Sequence, residues 1–170
     1  MPWSGKINRD GRTVKVKRLR RKLSALELVG PLALLCGAQD KVRGKPMKVM
    51  VDNAGSVAIW RKGYSTSCEL SSTLVRAMHV VSVALECRLD IMKITRCSDP
   101  GSQMADALSK AEFSKFEEVS RKHPFKINSG MTKVPRALIA WINNPCFDWN
   151  LGQRILEEME ETTALLGFNH

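Results

Sequence analysis

The chain of 170 residues lacks long apolar runs, and none approaches the roughly 18 residues of a transmembrane helix. Its first residues carry charge but no apolar core of the secretory-signal kind. Its five cysteines include no Cys-x-x-Cys pair, and an odd number suits neither a disulfide framework nor a zinc site. Internal repeats and low-complexity tracts are also missing. We therefore expect reduced thiols, no membrane partner and an intracellular location, nuclear or cytoplasmic.

Positive charge is what the sequence has in excess, with 27 lysines and arginines against 17 acidic residues and a net charge of +10. This balance favours a polyanionic partner such as nucleic acid, although a charged surface also serves solubility. Nine of the basic residues lie within residues 1–22, where Asp10 is the single acid. They include the cluster Arg18, Arg20, Arg21 and Lys22, which fits an import signal, a phosphate-binding patch or a solvated loop.

Hydrophobic periodicity predicts an α/β fold with a small sheet. Residues 47–51 form a continuous apolar run, typical of a parallel strand covered on both faces, and residues 89–95 predict a second strand. The strongest helix signal covers residues 69–86, where apolar residues recur at steps of three and four. These are Leu70, Leu74, Met78, Val81 and Leu85. His79 lies beside that stripe, and we assign it no ligand or catalytic role. Further helices are expected over residues 54–62, 104–110, 111–121, 135–142 and 151–165.

The amino-terminal third begins, by its pattern, with one short edge strand, because residues 13–17 alternate at period two. A helix is then expected over residues 24–39. Its start fits a capping box, with Ser24 as the N-cap residue and Glu27 as the reciprocal third residue. Gly30-Pro31 is expected to kink this helix or to divide it.

Three acids stand out by position: Glu27 near a helix start, Asp52 at the end of the first strand, and Asp106 early in a later helix. If the two strands are parallel neighbours, these positions can converge at the carboxyl edge of the sheet, where α/β folds bind ligands. Clustered carboxylates repel one another, and Mg²⁺ or Mn²⁺ resolves that repulsion. Two such ions would activate a water against a phosphodiester. Each acid also has a structural explanation, in the capping box, as a turn former or N-cap, or as a favourable charge early in a helix.

The order helix-Glu, strand-Asp-Asn, helix-Asp resembles the ribonuclease H family. It is most similar to the ribonuclease H-like domain that follows the reverse transcriptase in tyrosine-recombinase retroelements. Three segments carry the resemblance: LSALEL over residues 23–28, VMVDNAGSV over residues 49–57 and MADALSK over residues 104–110. The loop Lys62-Gly63-Tyr64-Ser65 and the long helix after it are also similar. The resemblance covers about residues 20–113.

The resemblance implies metal-dependent cleavage of RNA in an RNA–DNA hybrid, with Glu27, Asp52 and Asp106 as catalytic ligands of Mg²⁺ or Mn²⁺. No small-molecule cofactor is expected. Asn53 would shape the turn or contact the substrate. The residues expected to contact the nucleic-acid backbone, RNA–DNA hybrid or DNA, are Lys62, Tyr64 and Ser65. Two alternatives stay open: a catalytically inactive nucleic-acid-binding remnant of a reverse transcriptase polyprotein, and an unrelated basic α/β interaction protein.

One feature departs from the family pattern. The family carries its first catalytic acid on the first strand of the sheet, whereas residues 1–22 show no apolar strand bearing an aspartate, and Asp10 lies in a turn. We therefore expect an incomplete ribonuclease H-like α/β fold with a small mixed sheet. The expected parts are a basic segment over residues 1–22, the truncated domain over residues 23–115, and a linker with C-terminal helices over residues 116–170. A missing strand also predicts an exposed sheet edge and self-association.

Overall fold

The computed structural model describes residues 14–95, 99–123 and 133–167 as a mixed α/β structure in which helices predominate. Its elements are α1 (Val14–Gly37), α2 (Gln39–Val42), β1 (Pro46–Val51), α3 (Ala54–Lys62), α4 (Glu69–Ala84), β2 (Arg88–Lys93), α5 (Pro100–Ser109), α6 (Phe113–Lys122), α7 (Arg136–Asn143) and α8 (Leu151–Gly167). Within these described ranges, no helix combines the length and the hydropathy that a membrane crossing requires.

The sheet consists of β1 and β2 in parallel, with Pro46 paired to Arg88 and Val51 to Lys93. Both strands and their parallel pairing confirm the prediction, but β1 is not covered on both faces as expected, since Met50 is 58% exposed. The mixed sheet is wrong for the described residues because no antiparallel strand joins them. The chain crosses from β1 to β2 through α3 and α4. Within the described part of the chain, β2 is the one strand paired with β1. The outer edges of β1 and β2 are therefore the places where self-association, which stays a prediction, would occur.

Helix α1 takes the place of the predicted edge strand. Residues 14–17 are helical, and the predicted boundary between residues 22 and 23 lies inside α1. An alternation of five residues is too short to prevail over the good helix formers lysine, arginine and leucine that follow. The basic cluster Arg18, Arg20, Arg21 and Lys22 is consequently helical and not a loop. Thr13 and the residues before it, Asp10 included, lie outside the described residues.

The capping box predicted at Ser24 is wrong, because α1 begins at Val14 and Ser24 lies in its interior. The helix also continues through Pro31, so the predicted division does not occur. A proline inside a helix removes one backbone hydrogen bond and is costly. Burial offsets that cost, since three leucines on both sides of the proline are fully buried. They are Leu28, Leu32 and Leu35.

The core is organised around α4, which packs between α1 and α8. The helix buries Leu74, Met78 and Val81 completely, and its C-cap residue Leu85 is almost completely buried, as the periodicity predicted. Leu70, at the start of the predicted stripe, is only partly buried. The C-terminal helices belong to the same core, to which α8 contributes Leu151 and Ile155 and α7 contributes Leu138 and Trp141. The C-terminal region therefore packs on the domain. Residues 124–132 of the predicted linker and C-terminal region lie outside the described residues.

Helices α4 and α8 approach closely at Gly152. A methyl group added there would lie 2.9 Å from Cβ of Val80 and 3.0 Å from Cα of Ala77. The Ala77 contact is with backbone, which cannot move aside as a flexible side chain can. Gly152 thus allows the helix that carries much of the core to sit directly against its neighbour.

Candidate functional site

The three acids singled out in the sequence line one open cavity of about 620 Å³ at the carboxyl end of β1. Glu27 comes from the middle of α1, Asp52 follows the last residue of β1, and Asp106 comes from α5. Glu27 and Asp52 also line a neighbouring cavity of about 420 Å³. Residues far apart in the sequence therefore meet along one edge of the sheet. We call Glu27, Asp52 and Asp106 the acidic rim.

Asp52 does not have the capping role that its position suggested. The N-cap residue of α3 is Asn53, whose Oδ1 accepts hydrogen bonds from the amides of Gly55 at 2.7 Å and Ser56 at 3.3 Å. Such a bond satisfies amides of the first turn that have no partner within the helix. Asn53 therefore shapes the turn, which is one of the two roles expected of it. Asp52 is exposed, beside this turn.

The structural explanations for Glu27 and Asp106 are also wrong. Glu27 lies in the interior of α1, far from the helix end where a capping box acts. Asp106 lies in the last turn of α5 and not in its first turns, so the helix dipole disfavours its negative charge. The cap of α5 is Asp99, whose carboxylate accepts from the amide of Ser102 at 2.7 Å.

The acidic rim is where the metal centre implied by the resemblance would lie. Among the described residues, no three His, Cys, Asp or Glu side chains are placed so that they hold one metal ion. Asp106 instead accepts a hydrogen bond from Nζ of Lys110 at 2.8 Å, and Ser56 Oγ donates to Glu27 at 3.5 Å. Lys48 and Lys93 line the two cavities of the rim. The Mg²⁺ or Mn²⁺ pair that the resemblance implies therefore stays a prediction.

A different kind of cavity, of about 380 Å³, lies at the amino-terminal end of α4. It is lined by Lys62 from the end of α3, by the hydroxyl-rich residues 64–67 and by Ser71 in the first turn of α4. The loop is fixed to the helix because the Ser65 amide donates to Ser72 Oγ at 2.9 Å, and that hydroxyl donates back to the Ser65 carbonyl at 3.1 Å. We call this cavity the hydroxyl pocket.

One polar group of the hydroxyl pocket lacks a hydrogen-bond partner in the described structure. It is the hydroxyl of Ser71, which is fully buried. The N-cap residue of α4, Cys68, makes no side-chain capping hydrogen bond, and its own amide donates to Ser65 Oγ at 3.2 Å. The amides at the start of a helix need acceptors from outside the helix, so this turn presents donors together with its dipole. A buried polar group without a partner costs about 1–3 kcal/mol, which a bound acceptor would recover.

The predicted backbone-contacting residues divide between two places. Lys62, Tyr64 and Ser65 all line the hydroxyl pocket. Arg18, Arg20, Arg21 and Lys22 lie on α1, and their predicted contact with nucleic acid stays a prediction. Sequence reasoning missed Ser71, because a serine one turn into a strong helix resembles any ordinary polar position. The cluster of hydroxyl residues directly before that helix was the available signal.

His79 has a structural environment. Its ring stacks on Trp60 with centroids 4.4 Å apart and planes inclined by 14°. Burial lowers the pKa of His79 below its ordinary value, because the charged imidazolium is less well solvated beside the ring. The stack joins α3 to α4, and the absence of a catalytic role for His79 stays a prediction.

The chain matches no protein-family model, and neither a curated protein nor a solved structure is significantly similar to it. The ribonuclease H resemblance therefore rests on the three sequence segments and stays a prediction.

Proposed function

We propose that the chain is a nucleic-acid-binding domain related to the ribonuclease H-like domains of retroelements, and that it contacts phosphates through the hydroxyl pocket. The observation that supports this most is the buried hydroxyl of Ser71, unpartnered within the described part of the chain, beside the start of a 16-residue helix whose N-cap side chain makes no capping hydrogen bond. The expected intracellular location, nuclear or cytoplasmic, belongs to the same proposal.

The chemistry of the hydroxyl pocket suits a phosphate oxygen. Backbone amides at a helix start combine hydrogen-bond donors with a partial positive charge, and that combination binds phosphate in many proteins. Lys62 adds a full positive charge at the mouth of the pocket, and Ser65, Ser67 and Ser71 add hydroxyl groups. The acid nearest in sequence, Glu69, is exposed and does not line the pocket. The pocket therefore offers donors without a competing carboxylate among its lining residues.

The charge of the whole chain supports a polymer rather than a free phosphate. With a net charge of +10, the protein attracts polyanions over a long range, and each neutralised phosphate releases counterions. A polynucleotide also presents phosphates to several basic segments at once. Binding of this kind weakens steeply as salt is raised.

Metal-dependent cleavage of an RNA–DNA hybrid is the second candidate function, and one observation favours it. Glu27, Asp52 and Asp106 line a single cavity although 79 positions separate the first from the last. Against it stand the Lys110 ion pair of Asp106 and the lack of a three-ligand group among the described residues. The geometry thus favours binding over cleavage.

A salt titration with a charge-matched pair of variants tests the binding proposal. A fluorescently labelled single-stranded oligonucleotide is titrated with the parent protein, with Lys62→Ala and with Lys41→Ala, a lysine of α2 that lines none of the cavities described above. We expect Lys62→Ala to lower affinity about fivefold and to reduce the slope of log affinity against log salt by about 0.7, the share of one phosphate contact. Lys41→Ala should change both quantities much less.

Two results would contradict the proposal. The first is no binding by the parent protein at low salt. The second is an equal loss in the two lysine variants, which would assign the affinity to net charge alone and leave the hydroxyl pocket without a role in binding.

A cleavage assay separates the second candidate from the first. An RNA–DNA hybrid is incubated with Mg²⁺ and either the parent protein or Asp52→Asn. If the acidic rim catalyses cleavage, the variant loses cleavage and keeps its binding affinity. Equal products from the variant and the parent would remove Asp52 from any mechanism, and no products from either would leave binding as the function.

A further inference from the structure

We propose that an aromatic face beside the hydroxyl pocket, formed by Tyr64, Phe147 and Trp149, binds an unpaired base of a single-stranded polynucleotide. The inference rests on the proposed function, since it names the form of nucleic acid that the domain prefers. It adds a part of the chain, the α7–α8 connection, to which neither the sequence nor the resemblance assigned a role.

The three rings leave a large fraction of their surface exposed to solvent, and this exposed surface does not contribute to the packing of the fold. The exposed fractions are 56% for Tyr64, 42% for Phe147 and 58% for Trp149. All three line one cavity of about 440 Å³, whose floor is formed by residues of α4. Exposed aromatic rings gathered around a cavity mark a binding surface more often than an accident of packing.

The α7–α8 connection is held in place on α4 by several contacts. The Asp148 amide donates to Thr73 Oγ1 at 3.1 Å, and Arg76 Nε donates to the Trp149 carbonyl at 3.3 Å. Asp148 also forms an ion pair with Arg154 of α8. The rings are therefore presented by a fixed backbone, so little ordering cost remains for a ligand to meet.

The chemistry of the face suits a nucleobase. The guanidinium of Arg76 lies 4.2 Å from the centroid of the Trp149 ring, and Phe147 meets that ring edge to face at 5.1 Å. The Trp149 ring, which is polarised by the Arg76 cation, and the exposed Tyr64 ring both offer flat surfaces on which an aromatic base can stack. Arg76 brings a positive charge to the same cavity, as a phosphate-bearing ligand requires.

Tyr64 links the aromatic face to the hydroxyl pocket, because it lines both cavities. A strand whose phosphate is bound at the start of α4 therefore has an adjacent base within reach of Tyr64 and the rings beyond it. In a duplex the bases are stacked on one another and their faces are covered, so this geometry selects an unpaired strand.

The test compares an intact oligonucleotide of about 12 nucleotides, within the usual site size of single-strand-binding proteins, with an abasic oligonucleotide of the same length. The two carry the same phosphates and differ in their bases. We expect the parent protein to bind the intact strand about tenfold more tightly than the abasic strand. Trp149→Leu and Phe147→Leu, whose rings line the aromatic cavity but not the hydroxyl pocket, should each remove most of that difference and leave the abasic affinity unchanged.

Phe113→Leu supplies the matched control, since Phe113 is an exposed aromatic residue of α6 that lines neither cavity. Circular dichroism confirms that each variant folds, and Phe147→Leu keeps the test decisive if Trp149→Leu does not fold. Equal affinity of the parent for intact and abasic strands would overturn the inference while leaving phosphate binding intact. Loss of affinity for both strands in equal measure would also overturn it. If neither strand binds at low salt, the proposed function itself fails.

Discussion

The acidic rim and the hydroxyl pocket differ in how well their polar groups are satisfied. At the rim, Asp106 is paired with Lys110, and Glu27 accepts a hydrogen bond from Ser56. At the pocket, the hydroxyl of Ser71 is buried without a partner in the described structure. The site that the sequence made conspicuous is therefore the one whose groups already have protein partners, and the less conspicuous site is the one that still needs a ligand.

The acidic rim and the hydroxyl pocket also differ in how firmly the core of the protein holds the helices that form them. The hydroxyl pocket lies at one end of α4, which is buried between α1 and α8. One of the three rim acids lies on α5, which packs chiefly on α6 and buries Met104 and Ala107. A rigid core positions ligand groups more accurately than a peripheral helix does. Four predictions probe this contrast.

The largest effect on the free energy of unfolding is expected from a substitution that crowds the contact between α4 and α8. Gly152→Ala places a methyl group 3.0 Å from Cα of Ala77, so we expect a loss of about 2 kcal/mol in the free energy of unfolding. Gly30→Ala is the control, because a methyl group there meets nothing within 4 Å and alanine favours the helix by about 1 kcal/mol. Urea denaturation measures both. Equal effects of the two substitutions would mean that α4 and α8 are not in close contact.

The second prediction separates capping from the acidic rim at neighbouring positions. Asn53→Ala removes the acceptor for the Gly55 and Ser56 amides and should cost about 1 kcal/mol of stability. Asp52→Asn is nearly isosteric and leaves the Asn53 cap in place, so it should lower the free energy of unfolding by less than Asn53→Ala does. A larger loss for Asp52→Asn than for Asn53→Ala would restore a structural role to Asp52.

The third prediction is that removing a buried polar group stabilises the fold and weakens binding. Ser71→Ala eliminates a hydroxyl that has no partner among the described residues, so the free energy of unfolding should rise by about 1 kcal/mol, while oligonucleotide affinity falls. Ser82→Ala is the matched control on the same helix, since its hydroxyl donates to the His79 carbonyl at 3.1 Å. It should not stabilise the protein. A stabilised Ser71→Ala variant with unchanged affinity would show that this hydroxyl does not contact the ligand.

The smallest effect concerns pH. Burial lowers the pKa of His79 in the folded state, so the folded protein binds a proton less readily than the unfolded chain does. The contribution of neutral, buried His79 to the free energy of unfolding is therefore fully present above the ordinary histidine pKa of about 6.5. It is lost as the pH falls through that value toward the lowered pKa of the folded state. Denaturation at about pH 7.5 and about pH 5.5 should show a smaller acid-induced loss for His79→Phe than for the parent. A larger acid-induced loss of stability in His79→Phe than in the parent would contradict a lowered pKa of His79.

Much of the fold could be predicted from the sequence because it depends on local periodicity. The stripe through Leu74, Met78 and Val81 and the apolar run before Asp52 indicated α4 and β1 correctly. The errors arose where several local signals compete. Residues 13–17 alternate over a short stretch, and Ser24 begins a capping-box pattern, but the structure has one long helix there. The buried leucines of this helix pack against the core and stabilise it.

The candidate sites were predictable only in part, for a physical reason. Spacing along the chain indicated that Glu27, Asp52 and Asp106 meet at one edge, but not that Lys110 pairs with Asp106. Ser71 matters because its hydroxyl has no hydrogen-bond partner in the described structure. That property depends on the three-dimensional packing and cannot be read from the position of Ser71 in the sequence. The aromatic face likewise joins Tyr64 to Trp149 across 85 positions of the chain.

The most direct measurement of the central claim is a residue-resolved titration of the ¹⁵N-labelled protein with a short single-stranded oligonucleotide, followed by amide chemical shifts. Ligand oxygens at the start of α4 should produce the largest shifts at the amides of Glu69, Leu70 and Ser71, and these shifts should follow the same binding curve as Lys62 and Tyr64. If those amides stay unmoved while the largest shifts occur around Asp52 and Asp106, the nucleic acid binds at the acidic rim and the hydroxyl pocket is not the phosphate site.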